Sequence, residues 1–221
     1  MQQLLEAARR YQSQRVCLLS SVEIYGENRT GQPFTETDMG YIDCNTLRAG
    51  YPEGKRVAEA LCQAYRSAYG IQSVTMRLCR VYGPTVLSTD SKALSQFIQN
   101  AVHRENIVLK SEGTQFFSYI YAADAVSAIL TGLLQGEDGQ AYNVADAQSD
   151  ITLKDLAAIL AQAAGTEVVF ALPDAVEKAG FSKATTAILD SSKLKALGWR
   201  PLQTMQSGLQ RTLSILMDIQ A

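Results

Sequence analysis

Two short apolar runs limit what this chain can fold into: Arg15 to Ser20 (Arg-Val-Cys-Leu-Leu-Ser) and Ser73 to Leu78. Each is continuous rather than alternating, which suits a strand covered on both faces. Between them, roughly Pro52 to Tyr69 is striped by Val57, Leu61, Tyr65 and Ala68 and stopped by Gly70, the pattern of a long amphipathic helix. Ahead of the first run, Leu4, Leu5, Ala8 and Tyr11 stripe a second helix over Gln2 to Tyr11. Helix, strand, helix, strand with buried-type strands is the grammar of a parallel sheet with right-handed crossovers. The expected class is therefore α/β.

Between Gly26 and Asn45 lies a loop rich in Gly, Thr, Asp and Asn, and Val81-Tyr82-Gly83-Pro84 reads as a turn. Beyond Thr85 the pattern predicts helices near Lys92–His103, Ala122–Leu134, Leu153–Ala164, Ser192–Leu197 and Leu202–Ile219. Short strands are expected near Ile107–Leu109, Ala141–Val144 and Val168–Phe170. Thr152 is a good N-cap with Asp155 three residues on, and Gly165 a good stop. This half reads as a smaller α/β lobe, and with no linker between them the two parts are expected to pack together.

Composition excludes several classes. Of 221 residues 47% are hydrophobic and 19% charged, and Lys+Arg 20 against Asp+Glu 22 gives a net charge of −2, with no footprint for nucleic acid or an anionic membrane. No apolar run approaches the roughly 20 residues of a membrane span. Met1 to Arg15 has no secretory h-region or cleavage site, so a cytoplasmic protein is expected. Cys17, Cys44, Cys62 and Cys79 lack metal-site spacing and are expected as buried free thiols; no metal is expected. His103, between charged neighbours, reads as a surface helix residue.

Three segments hold the chemistry. Ser20-Ser21-Val22-Glu23-Ile24-Tyr25-Gly26 follows the first strand, at the end of a parallel sheet where ligands bind. Tyr51-Pro52-Glu53-Gly54-Lys55 opens the long helix, and a four-residue spacing, about one turn, points Tyr51 and Lys55 the same way. A tyrosine is a poor base at neutral pH, but an adjacent ammonium favours the phenolate. Arg77-Leu78-Cys79-Arg80-Val81-Tyr82-Gly83-Pro84 again sits at a strand's C-terminal edge.

Together with Tyr121-Ala122-Ala123-Asp124, Tyr142-Asn143-Val144 and the segment Lys193 to Pro201, these motifs resemble the extended short-chain dehydrogenases/reductases, the NAD-dependent epimerase/dehydratase family. The resemblance spans essentially all 221 residues. It implies a partial Rossmann-type parallel sheet in residues 1–84 and mainly a smaller α/β substrate-binding lobe in 85–221, with segments returning to the sheet. Carried over, it makes Ser21 the hydroxyl that bonds the reacting sugar oxygen, Tyr51 the acid/base, and Lys55 the residue that holds the nicotinamide ribose and lowers the Tyr51 pKa. Ser20, Tyr51 and Lys55 would meet the cofactor, NAD, and Arg48 and Arg80 the substrate, a nucleotide sugar. The stretch Arg48 to Arg56 is similar to Arg-x-x-Tyr-x-x-Gly-Lys-Arg of UDP-glucuronate decarboxylases. Glu23 stands where decarboxylases and 4,6-dehydratases place a catalytic Glu, and Val22 replaces the acid that dehydratases need beside it, so epimerisation or decarboxylation is expected rather than dehydration.

The sequence departs from the family's pattern in three places. Relatives usually carry Asn at the position of Arg80 and, at that of Phe117, an Arg that grips the nucleotide diphosphate, which Phe cannot do. The family's opening strand, Gly-x-x-Gly-x-x-Gly turn and helix has no counterpart, and Gly132, Gly136 and Gly139 leave a helix and enter a strand, the reverse of a phosphate-binding turn. An N-terminally truncated member is therefore expected, inactive and unable to bind NAD alone. A non-catalytic remnant or binding module of the same fold is the alternative; an NAD-sensing regulator would not need Ser21, Tyr51 and Lys55 together. A homodimer through the first two helices is what the resemblance implies in either case.

Overall fold

The computed structural model describes residues 1–87, 89–171 and 185–220. Helix α1 (Gln2–Arg10) leads into strand β1 (Val16–Ser21), a 3-10 turn (Val22–Tyr25), a second one (Leu47–Ala49), helix α2 (Gly50–Tyr69) and strand β2 (Ser73–Leu78). There follow β3 (Arg80–Tyr82), α3 (Ala93–Val102), β4 (Ile107–Leu109), β5 (Phe116–Phe117), β6 (Tyr119–Tyr121), α4 (Ala122–Gln135) and β7 (Ala141–Val144). The last part comprises β8 (Ile151–Thr152), α5 (Leu153–Ala164), β9 (Val168–Phe170), β10 (Thr186–Ala187), α6 (Ser192–Ala196) and α7 (Met205–Gln220).

The central sheet runs β1–β2–β7, all parallel, with Ser20 beside Arg77 and Arg77 beside Asn143. The α/β expectation holds. Because partners in a parallel ladder share a face, Val16, Leu18 and Ser20 look one way and Cys17, Leu19 and Ser21 the other. On the first face Val16 and Leu18 pack with Leu5 and Ala8 of α1 and Ala58, Cys62 and Tyr65 of α2. On the other, Met76 and Val74 of β2 meet Ala125 and Ala128 of α4 in a larger core that continues through α3, α5 and α7. Covering both faces explains the unbroken apolar runs. Gly70 ends α2 in the left-handed conformation at φ 69°, as its position implied.

Three sequence expectations need correction. Val81 and Tyr82, expected to begin a turn, belong to strand β3, which pairs in parallel with β6 (Arg80 beside Tyr119, Tyr82 beside Tyr121). Gly83 still lets the chain turn against Ala122, but the pairing with a segment forty residues on could not be read locally. Cys44, expected buried, lies exposed in a turn, whereas Cys62 and Cys79 are buried free thiols. The last helix begins at Met205 rather than Leu202 because the Leu202 and Gln203 amides donate to the buried Asp124 carboxylate at 3.0 and 2.9 Å. Thr204 then caps the helix by accepting from the Ser207 amide. No helix among the described residues is long and apolar enough to cross a membrane.

Candidate active site

The C-terminal end of β1 carries the first group of site residues. Ser21 is the N-cap of the turn Val22–Tyr25: its Oγ accepts from the Glu23 amide at 3.2 Å, which leaves the hydroxyl hydrogen for a second partner. Ser20 is 3% exposed, and its Oγ has no hydrogen-bond partner among the described residues. The turn closes at Gly26, whose φ of 69° and tight approach to the Tyr41 carbonyl exclude a side chain.

Helix α2 delivers the second group. Lys55 donates from Nζ to the Leu19 carbonyl of β1 at 2.7 Å and lies 5.7 Å from the centroid of the Tyr51 ring. One helical turn therefore brings Tyr51 and Lys55 to the edge that carries Ser20 and Ser21, with the Tyr51 ring half exposed. Arg48, just ahead of α2, places Nη2 4.0 Å from a Glu23 carboxylate oxygen, joining the two groups.

Arg56 was read from sequence only as a marker of a subclass. Its guanidinium donates to the Ile24 and Gly40 carbonyls at 2.8 Å each, so it pins the loop that follows β1 onto α2. Also missed was the network beneath. Arg77 donates from Nε and Nη2 to Glu59 of α2 at 3.2 and 2.7 Å, and from Nη1 to the Tyr25 hydroxyl and the Glu36 carbonyl. Tyr25 donates to Asn143 Oδ1 at 2.6 Å, and Asn143 donates to the Phe34 and Asp190 carbonyls. The motif letters Arg77, Tyr25 and Asn143 were visible; their mutual contact, across more than 100 residues, was not. Burial pushes the Tyr25 hydroxyl up to about 12, so this tyrosine stays neutral and structural.

Arg80 stands apart. Its guanidinium carbon lies 3.5 Å from the centroid of the Phe117 ring, and Nη1 is buried with no hydrogen-bond partner among the described residues. Burial pushes its pKa below the ordinary arginine value; of the neighbouring charges, Glu23 favours the cation and Arg48 opposes it. A buried donor left unpaired costs about 1–3 kcal/mol. His103 is exposed at the end of α3, its Nδ1 2.8 Å from the Gln99 carbonyl, and takes no part in the site.

The glycines that might have formed a phosphate turn do not. Gly132 sits inside α4 against Met76, Gly136 caps that helix, and Gly139 lies under the Arg66 guanidinium. No helix N-terminus is involved. The residues present thus fit the nicotinamide end of a dinucleotide, with the unpartnered Ser20 hydroxyl, Tyr51 and Lys55, and not its pyrophosphate.

This arrangement can be set beside known proteins. The family model for the NAD dependent epimerase/dehydratase family matches residues 1–145. The chain belongs to this family. UDP-glucuronic acid decarboxylase 6 of Arabidopsis thaliana is 29% identical over 196 residues, 88% of this chain and 55% of that protein. The low-salt glycan biosynthesis protein Agl12 of Haloferax volcanii is 29% identical over 209 residues, 95% of this chain and 64% of that protein. The family member therefore spans about half to two thirds of the length of these curated relatives. In fold it matches the UDP-glucose 4-epimerase of Thermotoga maritima, solved with UDP-glucose, at a TM-score of 0.86 and 23% identity over 99% of this chain and 68% of that one.

Proposed function

We propose that this chain is the substrate-side part of an NAD-dependent nucleotide-sugar epimerase or decarboxylase, with residues 85–221 mainly forming the substrate lobe. The observation that carries the reading is Lys55: anchored on the Leu19 carbonyl with Tyr51 alongside, it sets an acid/base pair against Ser21 and Glu23. Tyr51 removes the proton from a sugar hydroxyl, and the Lys55 ammonium stabilises the phenolate that this requires. Ser21 donates to the same sugar oxygen and fixes its position. Glu23, oriented by Arg48, acts at the sugar once it is a ketone; Val22 offers no proton for a leaving hydroxyl. NAD, when bound, supplies the hydride acceptor and donor, with Ser20, Tyr51 and Lys55 holding its nicotinamide ribose end.

A second reading, a binding module without turnover, is favoured by the mismatch at the pyrophosphate end. A nicotinamide end alone gives up several charge-assisted hydrogen bonds of about 1.5–3 kcal/mol each, enough to move a micromolar cofactor to millimolar. Leu4 of α1, Tyr11 just beyond it, and Val57 and Tyr69 of α2 are exposed, which supports a homodimer through these helices; the proposed compartment is the cytoplasm.

One experiment tests both readings. The 221-residue chain and a version extended upstream by a strand–glycine turn–helix unit are titrated with NADH and incubated with NAD and a panel of nucleotide sugars. The extended version is expected to bind NADH and give an epimer or a decarboxylated sugar, with no 4-keto-6-deoxy product by mass spectrometry. The chain alone is expected to bind only in the millimolar range or weaker. Tight binding without turnover by the extended version would leave the binding module; a 4-keto-6-deoxy product would overturn the argument from Val22.

A further inference from the structure

Among the described residues, Arg80 is the charged side chain near Glu23 and Arg48 that keeps a buried nitrogen without a hydrogen-bond partner. Its backbone is fixed by the β3–β6 ladder, where it pairs with Tyr119 and its amide donates to the Ser118 carbonyl at 3.3 Å. Phe117 is equally fixed, at the centre of a small sheet between Ala187 of β10 and Ile151 of β8, and it is 5% exposed. The guanidinium rests on that ring at 3.5 Å. An aromatic face satisfies the flat side of a guanidinium, but not the in-plane N–H groups, which require oxygen acceptors. Nη1 has none. The nearby Glu23 carboxylate favours the Arg80 cation but lies 4.0 Å from Arg48 Nη2, so it is not held by Arg80 alone.

We infer that Arg80 is an oxyanion receptor of the substrate, held flat by Phe117 and completed only when an acidic group of the ligand enters the cleft. The inference rests on the nucleotide-sugar reading above and adds to it the chemical group that this chain recognises and the residue that orients the recognition. The planar fork matters: a carboxylate or phosphoryl group can take two parallel N–H bonds from it, and a lysine in its place would neither stack nor fork. The oxyanion can come from the diphosphate or from a carboxylate on the sugar. Nη1 is itself buried, so little water competes there with a ligand oxygen.

The test titrates the 221-residue chain calorimetrically with UDP-glucuronate, UDP-glucose and inorganic pyrophosphate. Wild type, Arg80→Asn, Arg80→Lys, Phe117→Leu and the Arg80→Asn/Phe117→Leu double variant are compared, each with its melting temperature. Arg80→Asn is expected to weaken binding at least tenfold while the melting temperature stays level or rises, because an unpaired buried cation has been removed. Arg80→Lys, which keeps the charge and the fold, is expected to recover only part of the affinity. Phe117→Leu is expected to weaken binding in the wild-type background and to add nothing once Arg80 is gone, the non-additivity of a residue that acts through another. Equal losses with all three ligands assign the oxyanion to phosphoryl groups; a loss confined to UDP-glucuronate assigns it to the sugar carboxylate. Unchanged affinity in Arg80→Asn overturns the inference and leaves the nucleotide-sugar reading intact. A binding loss that tracks a fall in melting temperature in both Arg80 variants also overturns it, as a structural effect. Arg80-dependent binding of pyrophosphate without binding of either nucleotide sugar keeps the receptor and overturns the nucleotide-sugar reading. No binding by the wild type overturns both.

Discussion

Arg77 and Arg80 stand three residues apart at the same end of the sheet, and the fold treats them in opposite ways. Arg77, 4% exposed, has four hydrogen-bond partners: two Glu59 oxygens, the Tyr25 hydroxyl and the Glu36 carbonyl. Burial disfavours its charge, yet Glu59 and Tyr25 more than offset that, and its pKa lies above the ordinary arginine value. Arg80 has an aromatic platform and a buried nitrogen without a partner, and its pKa lies below it. A buried charge that is fully bonded belongs to the architecture, because removing any member strands the others. A buried charge that is only partly bonded weakens the resting protein and is completed from outside. The two tyrosines repeat the contrast: Tyr25 is buried inside the Arg77 network, and Tyr51 is half exposed at the cleft.

The strongest test of the contrast removes Arg77. Arg77→Met leaves Glu59, whose side chain is 16% exposed, without its counter-ion, and strands the Tyr25 hydroxyl. A loss of about 3–5 kcal/mol in urea unfolding is expected, the range for breaking a buried pair from one side. A loss under about 1 kcal/mol would break the comparison, since Arg77 would then be no more structural than Arg80.

The tyrosines offer the next largest effect. In the upstream-extended protein, Tyr51→Phe is expected to lower kcat by about 10²-fold or more, the usual worth of a general acid–base, with unchanged melting temperature. Tyr25→Phe is expected to do the reverse, lowering stability by about 1–3 kcal/mol through the stranded Arg77 and Asn143 groups. Near-normal turnover in Tyr51→Phe would reduce that residue to a helix-start side chain.

The smallest effect comes from Asp150, just ahead of β8. Burial pushes its carboxyl up to about 6; the Ser118 hydroxyl, bonded at 2.5 Å, works against this, and the neighbouring Asp146 adds to it. The folded chain therefore holds a proton there between the ordinary value of 3.8 and about 6, where the unfolded chain has released it. Its contribution to stability is accordingly lost as pH rises through that window. Asp150→Asn, which does not titrate, is expected to gain stability relative to wild type between pH 4 and 6 and to hold that gain above. The gain should stay below about 1 kcal/mol, because the group is partly open to solvent and screened. Thermal melts across pH check it; a gap independent of pH would remove Asp150 as the cause.

Much of the site was legible from local pattern. Tyr51 and Lys55 face one way because a helix has a fixed period. The strand β2 and helix α5 came out at their expected bounds, Ser73–Leu78 and Leu153–Ala164, since apolar period and capping residues are properties of a dozen neighbours. Other features were not local. Phe117 under Arg80, Asn143 against Tyr25 and Asp124 holding the Leu202 amide join residues 37, 118 and 78 positions apart, as the residue numbers give. The strand β3 formed instead of a turn because a distant segment, Tyr119–Tyr121, supplied its hydrogen-bond partners. Sequence by itself determined the α/β class and the helix on which Tyr51 and Lys55 share a face, because each follows from spacing along the chain. Whether the buried Arg77 or the half-buried Arg80 is neutralised was decided only by the tertiary structure, because it depends on which side chains the folded sheet brings within about 3 Å of each guanidinium.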